Sequence, residues 1–465
     1  MKTLLKYKKL ALVFFVMTSL TACEKQNEWL DVKRDKSDVV PETLADFQAI
    51  LDNNRDMQAL PTAGLAGTDN FYFTDANYLA APEADRNLYV WNKQIWVNGS
   101  SIDWTYSYRN IAYANIVLEG LEKLSPGTNG YDNIKGQAKF WRAFCFYNLA
   151  QIFCKPYDPS TATSDLGLPL RTTSDFNVIF QRSNLQATYD LITTDLKDAV
   201  NILNETAPFA TRPIRAAAAG LLARTYLTMG DYAQAFNYAD MAFELRSNLL
   251  DYNNTAIANP TLTYRFPDLG ANNPEVLFYV TGGGYTGLSV TTSSTGFVNP
   301  SVYTSYNTND LRKTLMFINP GNDNQVRARG TYTGRASNFN GIGVNEVLLI
   351  RAECYARNGK SIEAMADLNL LLKHRFKTGN FVPIVAADAD QALLTILIER
   401  RKELLFTGNI RWEDLRRLNK ETRFATTLTR TINGTNYTLL PNDVKYVLPI
   451  PDFEIQQTGL TQNNR

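Results

Sequence analysis

Leu222-Ala223-Arg224-Thr225-Tyr226-Leu227-Thr228-Met229-Gly230 and Arg351-Ala352-Glu353-Cys354-Tyr355-Ala356-Arg357-Asn358-Gly359 are two copies of one pattern. In each, Ala precedes Tyr by three residues, Tyr precedes Gly by four, and Gly precedes a further Ala (Ala235, Ala364) by five. This is the tetratricopeptide spacing. Small Ala residues let two antiparallel helices approach closely, Tyr fills the gap between them, and Gly makes the tight turn. Arg142-Ala143-x-x-Phe146 echoes the first half of the pattern. The copies do not recur at the roughly 34-residue period of an uninterrupted array, so insertions separate the helical pairs. Pairs of this kind stack into a superhelix.

Helical periodicity extends on both sides of the two copies. Apolar residues spaced three and four apart predict helices over 102–121, 134–153, 185–204, 213–229 and 232–246. Ser125-Pro126-Gly127, Pro156 and Pro159 act as stops. Helices resume over 345–357, 361–376, 390–406 and 411–419. Between them, residues 250–342 are rich in Gly, Asn, Thr, Ser and Pro, with one strand-like run from Val276 to Val280. Residues 61–100 carry Gly, Pro, Asn and aromatics without a clean period, and 425–465 is Thr/Asn-rich. The expected fold is mainly α: a tetratricopeptide-like helical superhelix with a large loop-rich insertion carrying short strands.

The N-terminus carries an export signal. Lys2, Lys6, Lys8 and Lys9 precede an apolar run from Leu10 to Leu20, and Leu20-Thr21-Ala22-Cys23 matches a lipobox. The run is too short to span a bilayer as a helix. The expected mature chain begins at Cys23, lipidated on its thiol, with a tether over 23–40 and no transmembrane helix.

Composition excludes several classes of function. The 465 residues hold 47 Lys+Arg against 46 Asp+Glu, a net charge of +1, which gives no case for nucleic acid. The single histidine, His374, stands apart from any Cys cluster, which argues against zinc and against Ser-His or Cys-His catalysis. Cys145 and Cys154, nine residues apart on one helix, would lie about 13 Å apart, too far for a disulfide. With Cys354 they read as buried free thiols. The chain is rich in aromatics, with 24 Tyr, 24 Phe and 6 Trp, residues suited to flat amphipathic ligands as well as to a core.

In order along the chain, these features resemble the SusD/RagB family of outer-membrane lipoproteins. Carrying the resemblance are the lipobox with Trp29-Leu30-Asp31, Tyr113-Ala114-Asn115, and Gly136-Gln137-Ala138-Lys139-Phe140-Trp141-Arg142-Ala143. So do the Ala-rich helix from Ala217, Glu399-Arg400-Arg401-Lys402-Glu403-Leu404, Arg411-Trp412-Glu413-Asp414-Leu415-Arg416-Arg417, and Leu448-Pro449-Ile450-Pro451. The resemblance implies a non-catalytic, surface-exposed outer-membrane lipoprotein. It would act as the lid of a SusC-like TonB-dependent barrel and capture an oligosaccharide or, in some branches, a peptide. It also implies a single domain over 41–465, with the helical scaffold at about 102–246 and 345–420 and the ligand-binding part at about 61–100 and 250–342.

Several constellations compete with that reading. Glu399 and Glu403 share a helix face, as a glycosidase pair could. They are interleaved with Arg400, Arg401 and Lys402, which favours an ion-pair network over hydrolysis. Gly282-x-Gly284-x-x-Gly287 mimics a dinucleotide fingerprint, but Ser/Thr/Gly-rich sequence follows where a helix is required. Asp52-x-Asn54-x-Asp56 begins like a calcium loop and then places Met57 and Ala63 where Gly and Glu are needed. No cofactor is expected, though a structural calcium ion elsewhere is compatible with the sequence. Binding candidates come from aromatic clustering, because the family's ligand loops vary: Tyr72, Trp91, Trp96 and Asn98 in the first cluster, and Tyr285, Tyr303 and Tyr306 in the second.

Overall fold

Buried alanines set the spacing of the scaffold. A computed structural model describes residues 40–57, 59–285, 295–329 and 332–465. The expected signal segment, Cys23, the expected tether up to residue 39 and Gly287 lie outside the described residues. Contacts divide the chain into a unit ending at Asp46 and a unit from Phe47 to Arg465. In the first, Asp46 accepts hydrogen bonds from the backbone and hydroxyl of Thr43 at 2.9 and 2.8 Å.

The helices in chain order are α1 (Leu44–Leu51), α2 (Asn54–Met57), α3 (Ala63–Ala66), α4 (Asp75–Ala80), α5 (Glu83–Tyr89), α6 (Ile102–Leu121) and α7 (Tyr131–Phe153). They continue with α8 (Leu185–Ile202), α9 (Arg215–Met229), α10 (Tyr232–Leu245), α11 (Pro300–Thr304) and α12 (Arg312–Leu315). The second half holds α13 (Val344–Arg357), α14 (Ser361–Lys373), α15 (Ala389–Glu403), α16 (Ile410–Leu418) and α17 (Asp452–Thr458). The long helices pack as α6 on α7, α7 on α8, α8 on α9 and α9 on α10, and then α10 packs directly on α13. The stack therefore runs through the site of the insertion without a break.

The repeat residues act as their spacing predicts. Ala216 to Ala219, Ala223, Ala235, Ala239 and Ala242 are fully buried, and the runs on α9 and α10 let these helices pack closely on each other and on their neighbours. Gly230 takes φ +82°, a left-handed turn that favours glycine, and Asp231 caps α10 by accepting from the Gln234 N–H at 3.0 Å. Gly359 makes the matching turn at φ +76°. The Tyr226 ring stacks on Tyr238, and Tyr355 meets Phe236 edge-on at 4.8 Å. The second copy is thereby joined to the first through α10.

Thirteen short strands occur among the described residues: β1 (Ala59–Pro61), β2 (Phe71–Tyr72), β3 (Leu166–Pro169), β4 (Arg182–Asn184), β5 (Val276–Phe278), β6 (Thr281–Gly283) and β7 (Phe297–Val298), then β8 (Phe317–Ile318), β9 (Arg327–Ala328), β10 (Asn338–Phe339), β11 (Ile342–Gly343), β12 (Leu428–Ile432) and β13 (Thr435–Leu439). β1 pairs parallel to β6, which pairs antiparallel to β10. The remaining strands pair as two-stranded ribbons.

Two stretches differ from expectation. Residues 61–100 contain α3, α4 and α5, each too short to display a helical period. The 425–465 tail holds the β12–β13 hairpin, in which Ile432 faces Thr435 across a two-residue turn. That turn is Asn433-Gly434, at φ +46° and +75°, the pair of positive angles a type I′ turn demands. Asn-Gly between Leu428-x-Arg430-x-Ile432 and Thr435-x-Tyr437-x-Leu439 is the sequence signal that would have found it.

A buried ion network ties the insertion to the scaffold. Arg312 in the insertion and Arg375 after α14 are both fully buried. Arg312 bonds Asp310 (2.7 Å), Glu399 (2.7 Å) and Glu403 (3.2 Å). Arg375 bonds Glu275 and Glu403, both at 2.8 Å. Glu399 and Glu403 thus do form an ion-pair network, but its main partners come from distant segments rather than from the neighbouring arginines.

Candidate ligand-binding surface

The two aromatic stretches meet through the backbone. β2 pairs with β7 so that Tyr72 faces Phe297, and their rings lie 5.8 Å apart. Side chains alternate across a strand, so Phe71 turns into the core while Tyr72 stays half-exposed. Asn77 on α4 donates to the Thr295 carbonyl at 2.7 Å, a second tie between the stretches.

A guanidinium organises the first cluster. Arg430 of β12 lies over Tyr89 (3.5 Å), Trp91 (4.6 Å) and Phe71 (5.6 Å), and it donates to the Tyr89 and Thr68 carbonyls. Burial lowers the Arg430 pKa to about 10, with Tyr89 and Asp69 opposing the shift. Trp91 donates its ring N–H to the Gly67 carbonyl at 2.9 Å. Both faces of the need are met inside: the rings shield the cation, and the cation fills the space between the rings. Trp91 is therefore a core residue.

The second cluster is also drawn inward. Tyr285 donates its hydroxyl to Asp103, whose other oxygen accepts the Ala63 N–H at 3.0 Å. Tyr306 donates to the Lys402 carbonyl at 2.7 Å. Tyr303 packs edge-on against Phe317 at 5.5 Å, with Lys313 over its ring. All three rings are buried, so their faces are taken by protein.

Asp103 gives this region a pH response. Burial raises its pKa from 3.8 to about 6, against the hydrogen bonds from Tyr285 and Ala63. A raised carboxyl favours the protonated fold, so its stabilisation is full below pH 3.8 and is lost as pH climbs through 6. Asp103→Asn should remove that loss. Its stability relative to wild type is expected to improve by about 3 kcal/mol between pH 4 and pH 8. Urea titrations at both pH values measure this, and a difference independent of pH would contradict it.

Three of the sequence-selected residues keep accessible surface: Tyr72, Trp96 and Asn98. Tyr72 belongs to a group. Tyr78 of α4 and Tyr437 of β13 are half-exposed too, and the Tyr78 ring lies 6.0 Å from Tyr89. The Tyr72 and Tyr78 hydroxyls are pushed up by burial and then by neighbouring tyrosines, Tyr89 for the first and Tyr437 for the second. Asp75 accepts the Asn433 N–H at 3.0 Å, which holds the hairpin tip against α4. Tyr72 and Tyr78 thus flank buried Tyr89, and Tyr437 neighbours Tyr78. They form an open tyrosine ring, with Arg86 close to Tyr78 and Asn77 on the same helix, in which the Tyr72 hydroxyl already donates to the Asn324 carbonyl. Tyr437 was not selected from sequence, because the hairpin that delivers it was not expected.

Trp96 and Asn98 lie in other company. Trp96 donates to the Pro449 carbonyl at 2.6 Å, and Asn98 takes φ +57° in a turn. The Trp96 ring is 6.1 Å from Phe153, which is 5.1 Å from Trp104. Trp104 lines a cavity of about 420 Å³ with Tyr108, Phe180, Arg171 and Glu454.

No group of three His, Cys, Asp or Glu side chains is placed to hold a metal among the described residues. Cys145, Cys154 and Cys354 are buried and free. His374 ends α14, with Nδ1 2.9 Å from the Leu370 carbonyl. Among the described residues, no helix is long and apolar enough to cross a membrane.

Two family models cover the chain from residue 28 to its end. One, described as SusD-like, starch-binding and associating with outer membrane, matches 28–227, and the SusD family model matches 223–465. The chain belongs to the SusD/RagB family. SusD-like protein P2 of Formosa agariphila is 27% identical over 419 residues, covering 78% of this SusD/RagB chain and 79% of its own. Two solved structures share the fold. A SusD-like carbohydrate binding protein of Bacteroides vulgatus superposes with a TM-score of 0.67 at 19% identity, covering 90% of this chain and 97% of its own. A SusD superfamily protein of Bacteroides thetaiotaomicron does so at 0.65 and 22% identity, covering 91% and 100%. The mainly-α superhelix with its loop-rich insertion is thus the family's fold.

Proposed function

We propose that this SusD/RagB protein captures an oligosaccharide at the cell surface, without chemistry, and delivers it to a SusC-like TonB-dependent transporter. Cys23 would carry the lipid anchor. The observation that carries the reading is the tyrosine ring of Tyr72, Tyr78 and Tyr437, held on a rigid buried cage and flanked by Asn77 and Arg86. Half-exposed rings offer apolar faces to sugar C–H surfaces, while hydroxyls and amides meet sugar hydroxyls. Trp96 and Asn98 add a second accessible pair near the 420 Å³ cavity. Membership in a family with a starch-binding description and a carbohydrate-binding structural relative support the ligand class. The Glu399–Glu403 pair, occupied by arginines, supports capture rather than hydrolysis.

Calorimetry of the lipid-free mature chain against plant, host and microbial glycans and a peptide pool tests this. Saturable glycan binding with the sugar recovered intact is expected. Tyr72→Ala should weaken it about three- to tenfold, the scale of one lost aromatic stack. Binding confined to peptides, or recovery of cleaved sugar, would refute the reading.

A further inference from the structure

Residues 170–181, between β3 and β4, form a strap laid along α6, and a set of hydrogen bonds fixes its course. Asn115 donates to the Arg171 and Thr173 carbonyls, both at 3.1 Å. Glu119 accepts from the Thr173 hydroxyl (2.7 Å) and the Ser174 N–H (2.8 Å). Arg171 donates to the Asp175 and Val178 carbonyls at 2.8 and 2.9 Å and lies over the Phe180 ring. The strap nevertheless holds its apolar side chains out in water, with Phe176 84% and Ile179 59% exposed. A lone exposed apolar residue is ordinary, but these two stand together at the rim of the 420 Å³ cavity.

The cavity behind them is apolar and ringed. Trp104 and Tyr108, 4.7 Å apart, line it with Pro169, Phe180 and Leu460. Its polar groups are few, and most are taken. The Tyr108 hydroxyl donates to the Pro169 carbonyl at 3.0 Å, the Thr458 hydroxyl to the Glu454 carbonyl at 2.5 Å, and the Arg171 terminal nitrogens to the strap. The Glu454 carboxylate on α17 differs. It is half-buried, the Trp104 side chain hydrogen-bonds it, and Arg171 is the one cation that acts on it, without an ion pair. A carboxylate accepts several hydrogen bonds, so Glu454 retains acceptor capacity toward the cavity. Arg171 and Glu454 balance in charge, so the lining selects a neutral occupant. A sugar ring buried here would leave most of its hydroxyls without partners, which is unfavourable. A flat apolar ring with one hydroxyl matches both the walls and the single open acceptor, and the volume is in the range of small-molecule sites.

We propose that this cavity is a second binding site, for a neutral phenol ring. The ring lies against Phe176, Ile179 and Phe180, and its hydroxyl donates to Glu454. The site goes beyond sugar capture and shares no residue with the tyrosine ring.

The test is calorimetric titration of the mature chain with 4-methylphenol. Its methyl ether, which has no donor, and methyl β-D-glucopyranoside are the controls. Saturable phenol binding is expected, about tenfold tighter than the ether, the scale of one charge-assisted hydrogen bond. Glu454→Met should bring the phenol down to the level of its ether and leave the ether unchanged. Phe176→Ser, at a side chain in water, should weaken both about fivefold without moving the melting temperature. A fourth titrant, 4-hydroxyphenyl β-D-glucopyranoside, separates the two sources of such a ring. Tighter binding than 4-methylphenol assigns a phenol carried on a sugar, and equal binding assigns a free phenol. No saturable phenol binding at millimolar concentration would overturn the proposal. So would an ether or methyl glucoside that binds as tightly as the phenol, or phenol binding that survives both variants. Tyr72→Ala should leave every one of these titrations unchanged, so this site and the tyrosine ring stand or fall separately.

Discussion

Arg375→Ala is expected to destabilise the protein by about 3–5 kcal/mol, the range for breaking a buried charge network from one side. Arg375 is fully buried and bonds Glu403 through Nε (3.0 Å) and Nη2 (2.8 Å), Glu275 through Nη2 (2.8 Å), and the Leu250 carbonyl through Nη1 (2.9 Å). Removing it leaves Glu275 without a cation and Glu403 with Arg312 alone. Burial alone would push Glu403 up; Arg375 and Arg312 outweigh it and hold its pKa at about 2. A depressed carboxyl stabilises the fold above its unfolded value of 4.5, and that contribution is lost as pH falls toward 2. For Glu403 it amounts to about 3 kcal/mol. Glu353, held at about 2 by Arg417 and Arg357 against burial, adds to the same slope. Urea denaturation at pH 7 and pH 4 reads both parts. Arg375→Ala should start lower, and its stability gap from wild type should be widest at pH 7 and narrow toward acid, because the Glu403 contribution that Arg375 supports fades there while the Asp103 contribution is common to both. Equal stability of the two proteins at pH 7 would contradict the argument. Arg375→Met combined with Glu403→Leu should cost less than the sum of the single changes, because the Arg375–Glu403 interaction is counted in both singles, although Glu275 still loses its cation.

The scaffold was legible in sequence because its residues act locally. Ala223, Tyr226 and Gly230 each determine something within one helical turn, and the spacing alone announces the pair. The same holds for α6 to α10 and α13 to α16, whose long periods survive errors of two or three residues at the ends. The ion network was legible only by halves. Glu399 and Glu403 declared themselves by their interleaved arginines, whereas Arg312 and Arg375 are brought to them across 87 and 28 residues by folding. The binding candidates were least legible. Aromatic content marks the region, but whether a ring faces inward depends on pairing partners far along the chain. Trp91 was claimed by Arg430 and Tyr285 by Asp103, while Tyr437 entered on a hairpin signalled by only two residues, Asn433 and Gly434. A strand of two residues such as β2 carries no period at all, yet it decides that Phe71 is core and Tyr72 is surface.

Arg430→Met tests that last dependence and should cost about 3–5 kcal/mol, together with at least a tenfold loss of glycan binding. Arg430 holds the hairpin to the first aromatic cluster. Its terminal nitrogens satisfy the Tyr89 and Thr68 carbonyls, and its plane packs among Tyr89, Trp91 and Phe71. Met restores much of the volume but none of the donors, so two carbonyls lose their partner, at about 1–3 kcal/mol each, and the desolvated cation–π attraction of about 2 kcal/mol is lost as well. Lys should rescue little, because an ammonium cannot span two carbonyls while stacking flat on rings. The binding loss follows from geometry. Tyr437 rides on the hairpin that Arg430 fixes, whereas Tyr72 and Tyr78 ride on the segment to which it is fixed. Loosening the tie separates rings that must contact one sugar chain together, and positions held independently lose their joint affinity. Thermal unfolding measures the first effect and calorimetry at a temperature well below the transition measures the second. A variant with unchanged affinity despite lowered stability would show that the tyrosine ring is not where the ligand binds.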